Sequence, residues 1–205
     1  MSMNRHLPLG RAVALVAALG AAGPALAQET GTPVFAAPYR AFSAHELGLS
    51  LSAPEAADLG LEGFYAFASG RSDYGLRVGL LDRDGGTDLV LGGRFRTRLV
   101  THSADFPLDA ALTVGLGAQF AEGTTVLRTP IGISLGRRID SGSSGLSFVP
   151  YLHPVLVPTF ARGDSELELA LGLGLDIRLT RGFDLRVSGG LGDLEGFAVG
   201  FAWVR

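Results

Sequence analysis

The sequence predicts an all-β protein, an antiparallel up-and-down transmembrane β-barrel of about ten strands, with eight as the alternative count. Three observations carry this. From Leu167 to Leu179 every second residue is a large aliphatic, and the interleaved positions are Glu166, Glu168, Ala170, Gly172, Gly174, Asp176 and Arg178. Side chains on a strand alternate faces, so one face is continuously aliphatic and the other small or charged. Twelve steps of about 3.3 Å span about 40 Å, or about 28 Å when tilted near 45°, which matches the hydrocarbon thickness of a bilayer. The second observation is the 30 glycines in 205 residues, about twice the usual share. They sit on the non-aliphatic faces, where a water-facing strand normally carries Thr, Lys, Glu or Gln, because glycine weakens strands. Small residues there suit a narrow lumen shared with long arginines. The third is connectivity: short turns and no crossover helix imply sequential antiparallel neighbours, and closure removes the exposed edges such a sheet would otherwise have.

Residues 1–27 read as a secretory signal peptide. Arg5, His6 and Arg11 form a basic start, 12–22 a short apolar core, and Ala25-Leu26-Ala27 an A-x-A cleavage site before Gln28. Residues 28–43, rich in Pro, Ala and Thr, read as a flexible periplasmic leader, and 44–205 as the barrel domain. Ten alternating segments are expected over 44–52, 61–69, 74–82, 87–100, 108–121, 124–137, 145–160, 165–179, 183–191 and 196–204. The fifth sets Ala110, Leu112, Val114, Leu116, Ala118 and Phe120 against Ala111, Thr113, Gly115, Gly117 and Gln119. The fourth sets Leu89, Leu91, Phe95 and Leu99 against Asp88, Arg94, Arg96 and Arg98. The seventh carries Pro150, Pro154 and Pro158, which cannot donate to a ladder, so it is expected to be bent or poorly paired. Asp84-Gly85-Gly86, Glu122-Gly123, Arg162-Gly163-Asp164 and Arg181-Gly182 supply tight turns.

Composition removes several function classes. Cysteine is absent, which excludes disulfides, thiolate catalysis, cysteine-bound zinc and an N-terminal lipid anchor on cysteine. All 17 basic residues are arginine, so a P-loop lysine, a Schiff base and a Ser-Lys dyad are excluded. Without Arg5 and Arg11 the charge is 15 basic against 20 acidic, a formal −5, which disfavours nucleic acid as a partner. Beyond the N-terminus no apolar run is long enough for a membrane-spanning helix.

On this reading a lumen charge network comprises Arg77, Arg94, Arg96, Arg98, Arg128, Glu166, Glu168, Asp176, Arg178 and Arg186. Unpaired charges in a low-dielectric interior are costly, so arginine–carboxylate pairs are expected. Leu112, Val114, Leu116, Leu169, Leu171, Leu173 and Leu175 are expected to face lipid. Gly132-Ile133-Ser134-Leu135-Gly136 matches G-x-S-x-G, but a nucleophile elbow needs a strand-to-helix turn and this match lies within a strand segment. His45, His102 and His153 lack metal-ligand spacing, and the adjacent His102, Ser103 and Asp105 make a poor triad. The sequence therefore implies no enzyme activity, catalytic residue, metal or cofactor.

The signal peptide, the alternating segments and the aromatic final strand, Phe197 to Trp203, together resemble small outer-membrane β-barrel proteins of Gram-negative bacteria, of the OmpA, OmpX and OmpW kind. The resemblance covers about 44–205 and implies an outer-membrane location and recognition of the last strand by the barrel-assembly machinery. The chain departs from that kind in ending Trp203-Val204-Arg205 and in having only short connections. The expected role is structural or envelope-maintaining, with a narrow polar pore or small-ligand conduit as its extension, outer-membrane lipid as the partner and no oligomeric state implied. The alternatives are a soluble periplasmic β-barrel or sandwich binding protein, with its aliphatic face inward, and a lipid-modifying outer-membrane enzyme.

Overall fold

The computed structural model describes residues 28–38, 44–142 and 145–205. The signal-peptide reading of 1–27 lies outside the described residues, as do 39–43 of the leader. Ten staves form the wall: β1 (Glu46–Pro54), β2 (Leu59–Ser69), β3 (Ser72–Arg83), β4 (Gly86–Val100), β5 (Asp109–Ala121), β6 in two pieces (Thr124–Arg128 and Ile131–Gly136), β7 (Ser147–Ala161), β8 (Asp164–Thr180), β9 (Phe183–Gly192) and β10 (Gly196–Val204). Each stave pairs antiparallel with the next, and β10 returns to β1 from Glu46↔Val204 to Pro54↔Gly196, closing the barrel. The hairpins are tight where glycine permits: Arg162 and Gly163 both take positive φ, 49° and 91°, joining β7 to β8.

The two ends of the barrel differ. At the end away from His45 and Arg205 all five turns are short, and 193–195 folds inward. Leu194 is buried there, and a Cβ on Gly190 would overlap its carbonyl oxygen. The end that carries His45 and Arg205 bears the longer connections, 101–108 and 137–146, the latter with a short ladder of Ile139–Asp140 against β7.

The prolines of β7 act on one edge only. Towards β8 the ladder is unbroken from Asp164↔Ala161 to Arg178↔Ser147. Residues two apart turn their N–H and C=O to the same strand edge, and the Pro150 and Pro158 carbonyls accept from Arg137 and Thr129 of the β6 side. The three missing donors therefore all face β6, and that pairing is discontinuous. β6 is itself interrupted at Thr129-Pro130. The strand expected to be bent is continuous, and its prolines thin one seam.

Hydrophobic burial is inverted. Leu116, Leu171, Leu173 and Val114 are exposed on the outer surface, and Leu112, Leu169 and Leu175 are half-buried on the same face. Polar and charged residues, among them Glu62, Asp73, Arg96, Arg128, Glu168 and Asp176, are buried within. The soluble alternative, which needed the aliphatic face inward, does not hold. Thirty-four large apolar side chains are exposed among the described residues. At about 1 kcal/mol for each half-exposed side chain, moving this surface from water to lipid is favourable by on the order of 30 kcal/mol. Aromatics gather near both ends of this surface. Tyr65, Phe67, Tyr74 and Phe95 form a row of contacting rings toward the end that carries His45 and Arg205, and Phe120, Phe160 and Phe197 lie toward the other.

Candidate functional site

The lumen is the site, and it is occupied by the chain itself. Residues 28–38, read from the sequence as the start of a flexible leader, lie inside the barrel. Gln28, Glu29, Thr30, Thr32, Phe35, Ala36 and Ala37 are all at most 7% exposed. Gln28 to Thr32 form a turn, closed by the Gly31 N–H donating to the Gln28 carbonyl at 2.9 Å. The chain then runs toward the terminal end of the barrel without joining any ladder.

Lumen-facing glycines make the space. Gly92 and Gly117 are partners across β4 and β5. A Cβ on Gly117 would overlap the Glu29 carbonyl oxygen, and one on Gly92 would lie 2.8 Å from the Glu29 Cγ. A Cβ on Gly172 would overlap the Phe35 ring. The sequence reading assigned these glycines to room for arginines, whereas they seat the polypeptide.

Wall side chains meet the segment's buried carbonyls, which otherwise would go unpaired at a cost. Ser188 Oγ donates to the Pro33 carbonyl at 2.7 Å, and Ser134 Oγ donates to the Ala36 carbonyl at 2.6 Å. Arg96 Nη1 donates to the Ala37 carbonyl. The Phe35 N–H donates to Ser188 Oγ at 3.4 Å, and Thr32 Oγ1 donates to Glu62 Oε2 at 2.8 Å. Phe35 packs edge-on to His153, ring centroids 5.9 Å apart, in a small apolar cluster with Leu194, Val155, Val157 and Ala170.

Most of the charges around the segment are paired, Arg94 being an exception. Arg77 meets Glu62 at 3.1 Å, Arg96 meets Asp73 at 2.8 Å, and Arg186 meets Glu46 at 2.6 Å and Asp176 at 3.5 Å. Arg178 meets Asp184 at 3.4 Å. Arg128 Nη1 donates to Gln119 Oε1 at 2.9 Å, and Gln119 in turn donates to Asp88 at 2.6 Å. Phe64 lies beneath both Arg77 and Arg186, each 5.6 Å from its centroid. Glu168 is buried. Glu166 is exposed, because it stands near the end of β8 beyond the enclosed part of the lumen, and Arg98 is half-buried near the opposite end of β4. Glu46, Glu62, Asp73 and Asp88 were absent from the sequence-derived network, although the same alternation that placed Arg77 and Arg94 puts them on the inner faces of β1 to β4.

The candidate chemistry disperses. Ser134 is on the lumen face of β6, bound to the Ala36 carbonyl, with strand on both sides of it. His153 Nε2 is 2.8 Å from Thr113 Oγ1. His102 Nδ1 lies 3.1 Å from Asp109, and Ser103 Oγ accepts from the Phe106 N–H. His45 stacks on Tyr65. No group of three or more metal-ligating side chains occurs among the described residues.

No protein-family model matches the chain, and a search of curated proteins finds no similar sequence. Among solved structures it is similar to a de novo designed transmembrane β-barrel, with 13% identity and a TM-score of 0.43, covering 82% of this chain and 98% of that one. It is also similar to the β domain of the Bordetella autotransporter Brka, with 14% identity and a TM-score of 0.46, covering 78% of this chain and 99% of that one.

Proposed function

We propose that the protein is an integral outer-membrane β-barrel with a structural, envelope-maintaining role, its lumen closed by its own residues 28–38. The observation that carries this reading is the pairing of an outward apolar surface, edged by aromatics at both ends, with an inner face of neutralised charge. Lipid is the solvent that suits the first, and ion pairing suits the second. Export by the expected signal peptide and the resemblance to small outer-membrane barrels agree with that location. The end that carries His45 and Arg205 is assigned to the periplasm. β10, whose outer face carries Phe197, Phe201 and Trp203 and which closes the wall on β1, is the strand that the barrel-assembly machinery would engage. The closed lumen favours the structural role over an open pore.

Fractionation tests this directly. The protein is expected in outer membranes, resistant to carbonate extraction, and to migrate faster in unheated than in boiled gel samples. Recovery as a monodisperse monomer in buffer without detergent would overturn the reading.

A further inference from the structure

We propose that residues 28–38 are a removable stopper, and that the lumen it vacates conducts small inorganic anions, with Arg94 setting the selectivity. This rests on the outer-membrane reading above.

The wall does not depend on the stopper. All ten staves pair with one another and close without it, and 28–38 contributes to no ladder. It is held by a few side-chain hydrogen bonds and by its fit against glycine. Ala37 and Pro38 lie beside Arg96 and Gly136, toward the terminal end, which is the direction in which the segment can leave. While it is seated, the cavity left beside it is about 30 Å³, room for about two water molecules. Its departure vacates the volume that residues 28–38 and the Phe35 ring now fill.

Four arginines line that cavity: Arg77, Arg94, Arg96 and Arg186. Three are ion-paired to carboxylates of the wall, as described. Arg94 makes no hydrogen bond or ion pair with any described residue, and its buried Nε is unpartnered. The carboxylate that attracts it most is Glu29, whose buried Oε1 is likewise unpartnered. Glu29 belongs to the stopper. Withdrawal therefore removes the carboxylate that attracts Arg94 most and leaves its guanidinium facing the passage, and cationic groups around a constriction favour anions.

Planar-bilayer recordings test this with three refolded proteins, each first shown to be a barrel by heat-modifiable migration. They are the wild type, a deletion of 28–38, and the double variant Gly117→Ala with Gly172→Ala. The double variant adds one carbon at each of two points of overlap with the segment and so evicts it while keeping the whole chain. The wild type is expected to be silent in potassium chloride, and both variants to conduct with chloride preferred several-fold over potassium. Arg94→Gln in the deletion background is expected to bring that preference close to unity. A folded deletion variant that stays silent, or a wild type that conducts equally, overturns the stopper. An unchanged chloride preference after Arg94→Gln overturns the role of Arg94. A wild type that fails to enter membranes at all refutes the outer-membrane reading instead.

Discussion

The wall strand β8 and the lumenal segment 28–38 belong to the same barrel, yet they are held in different ways. β8 is bonded along both edges, to β7 from Asp164↔Ala161 to Arg178↔Ser147 and to β9 from Ala170↔Gly192 to Thr180↔Phe183. Its backbone groups are satisfied by a repeating ladder that makes no demand on particular side chains. The segment has no ladder. Its carbonyls at Pro33, Ala36 and Ala37 are met one by one, by Ser188, Ser134 and Arg96. Pro33 and Pro38 lack an N–H, which lowers the number of donors to be satisfied inside. A ladder strand cannot leave without opening two seams. An individually tethered guest leaves by exchanging a handful of hydrogen bonds for water, so the contrast separates what makes the barrel from what fills it.

The largest test of that contrast joins the two regions. Asp73→Ala removes the buried carboxylate partner of Arg96, which bonds both to Asp73 of the wall and to the Ala37 carbonyl of the segment. Removing one member of a buried pair costs about 3–5 kcal/mol. Equilibrium urea unfolding in lipid vesicles is expected to show that loss, and an unchanged midpoint would mean that the pair does not stabilise the lumen. Next in size is Leu171→Arg, on the outer face near the middle of β8. A charge at mid-belt costs about 2–4 kcal/mol in a bilayer. This loss falls on the wall alone, so residues 28–38 should stay protected from protease in the molecules that do fold. Unimpaired folding of this variant in lipid would reverse the assignment of the two faces.

The sequence made the wall legible because period-two alternation is a property of each strand taken singly. Leu167 to Leu179 reads the same in isolation as in the barrel, and the turn at Arg162-Gly163 announces itself. The segment has no such period. Residues 28–38 look like a linker because their partners, Ser134, Ser188, Gly117 and Gly172, are supplied by distant strands that only closure brings together. Their imprint was nonetheless present. Gly92, Gly115 and Gly117 are too small for a face that only needed to make room for Arg94, and Cβ atoms at all three would meet Glu29. The carboxylates were legible in the same alternation as the arginines: Asp73 shares β3 with Arg77, and Asp88 shares β4 with Arg94, Arg96 and Arg98. The three prolines of β7 were readable as missing donors, but not as missing from one edge only, since which neighbour a strand edge faces is settled by topology.

Gly172→Ala probes the neighbour of Leu171 in sequence, and the two effects should fall on different regions. Position 172 faces the lumen, and its new methyl would overlap the Phe35 ring. Overpacking of this kind costs about 1–3 kcal/mol, relieved here by displacement of a segment that is not part of the wall. Heat-modifiable migration is expected to persist while protease begins to cut within 28–38. Loss of the barrel itself would show that the segment is needed to build the wall.

Ser134→Ala is the smallest and most selective change. It removes the hydroxyl that donates to the Ala36 carbonyl at 2.6 Å and adds no volume to a fully buried position in β6. The cost is about 1 kcal/mol, the net worth of one such bond, with more if the carbonyl finds no replacement donor. Because Ser134 takes part in the wall only through its backbone, the β5–β6 pairing of Ala111↔Ser134 has no reason to weaken. Hydrogen exchange should therefore quicken at the amides of 34–37 and stay unchanged at 111–113. Exchange that quickened equally in both would mean that segment and wall open as one unit, and that the lumenal chain is a structural member of the barrel after all.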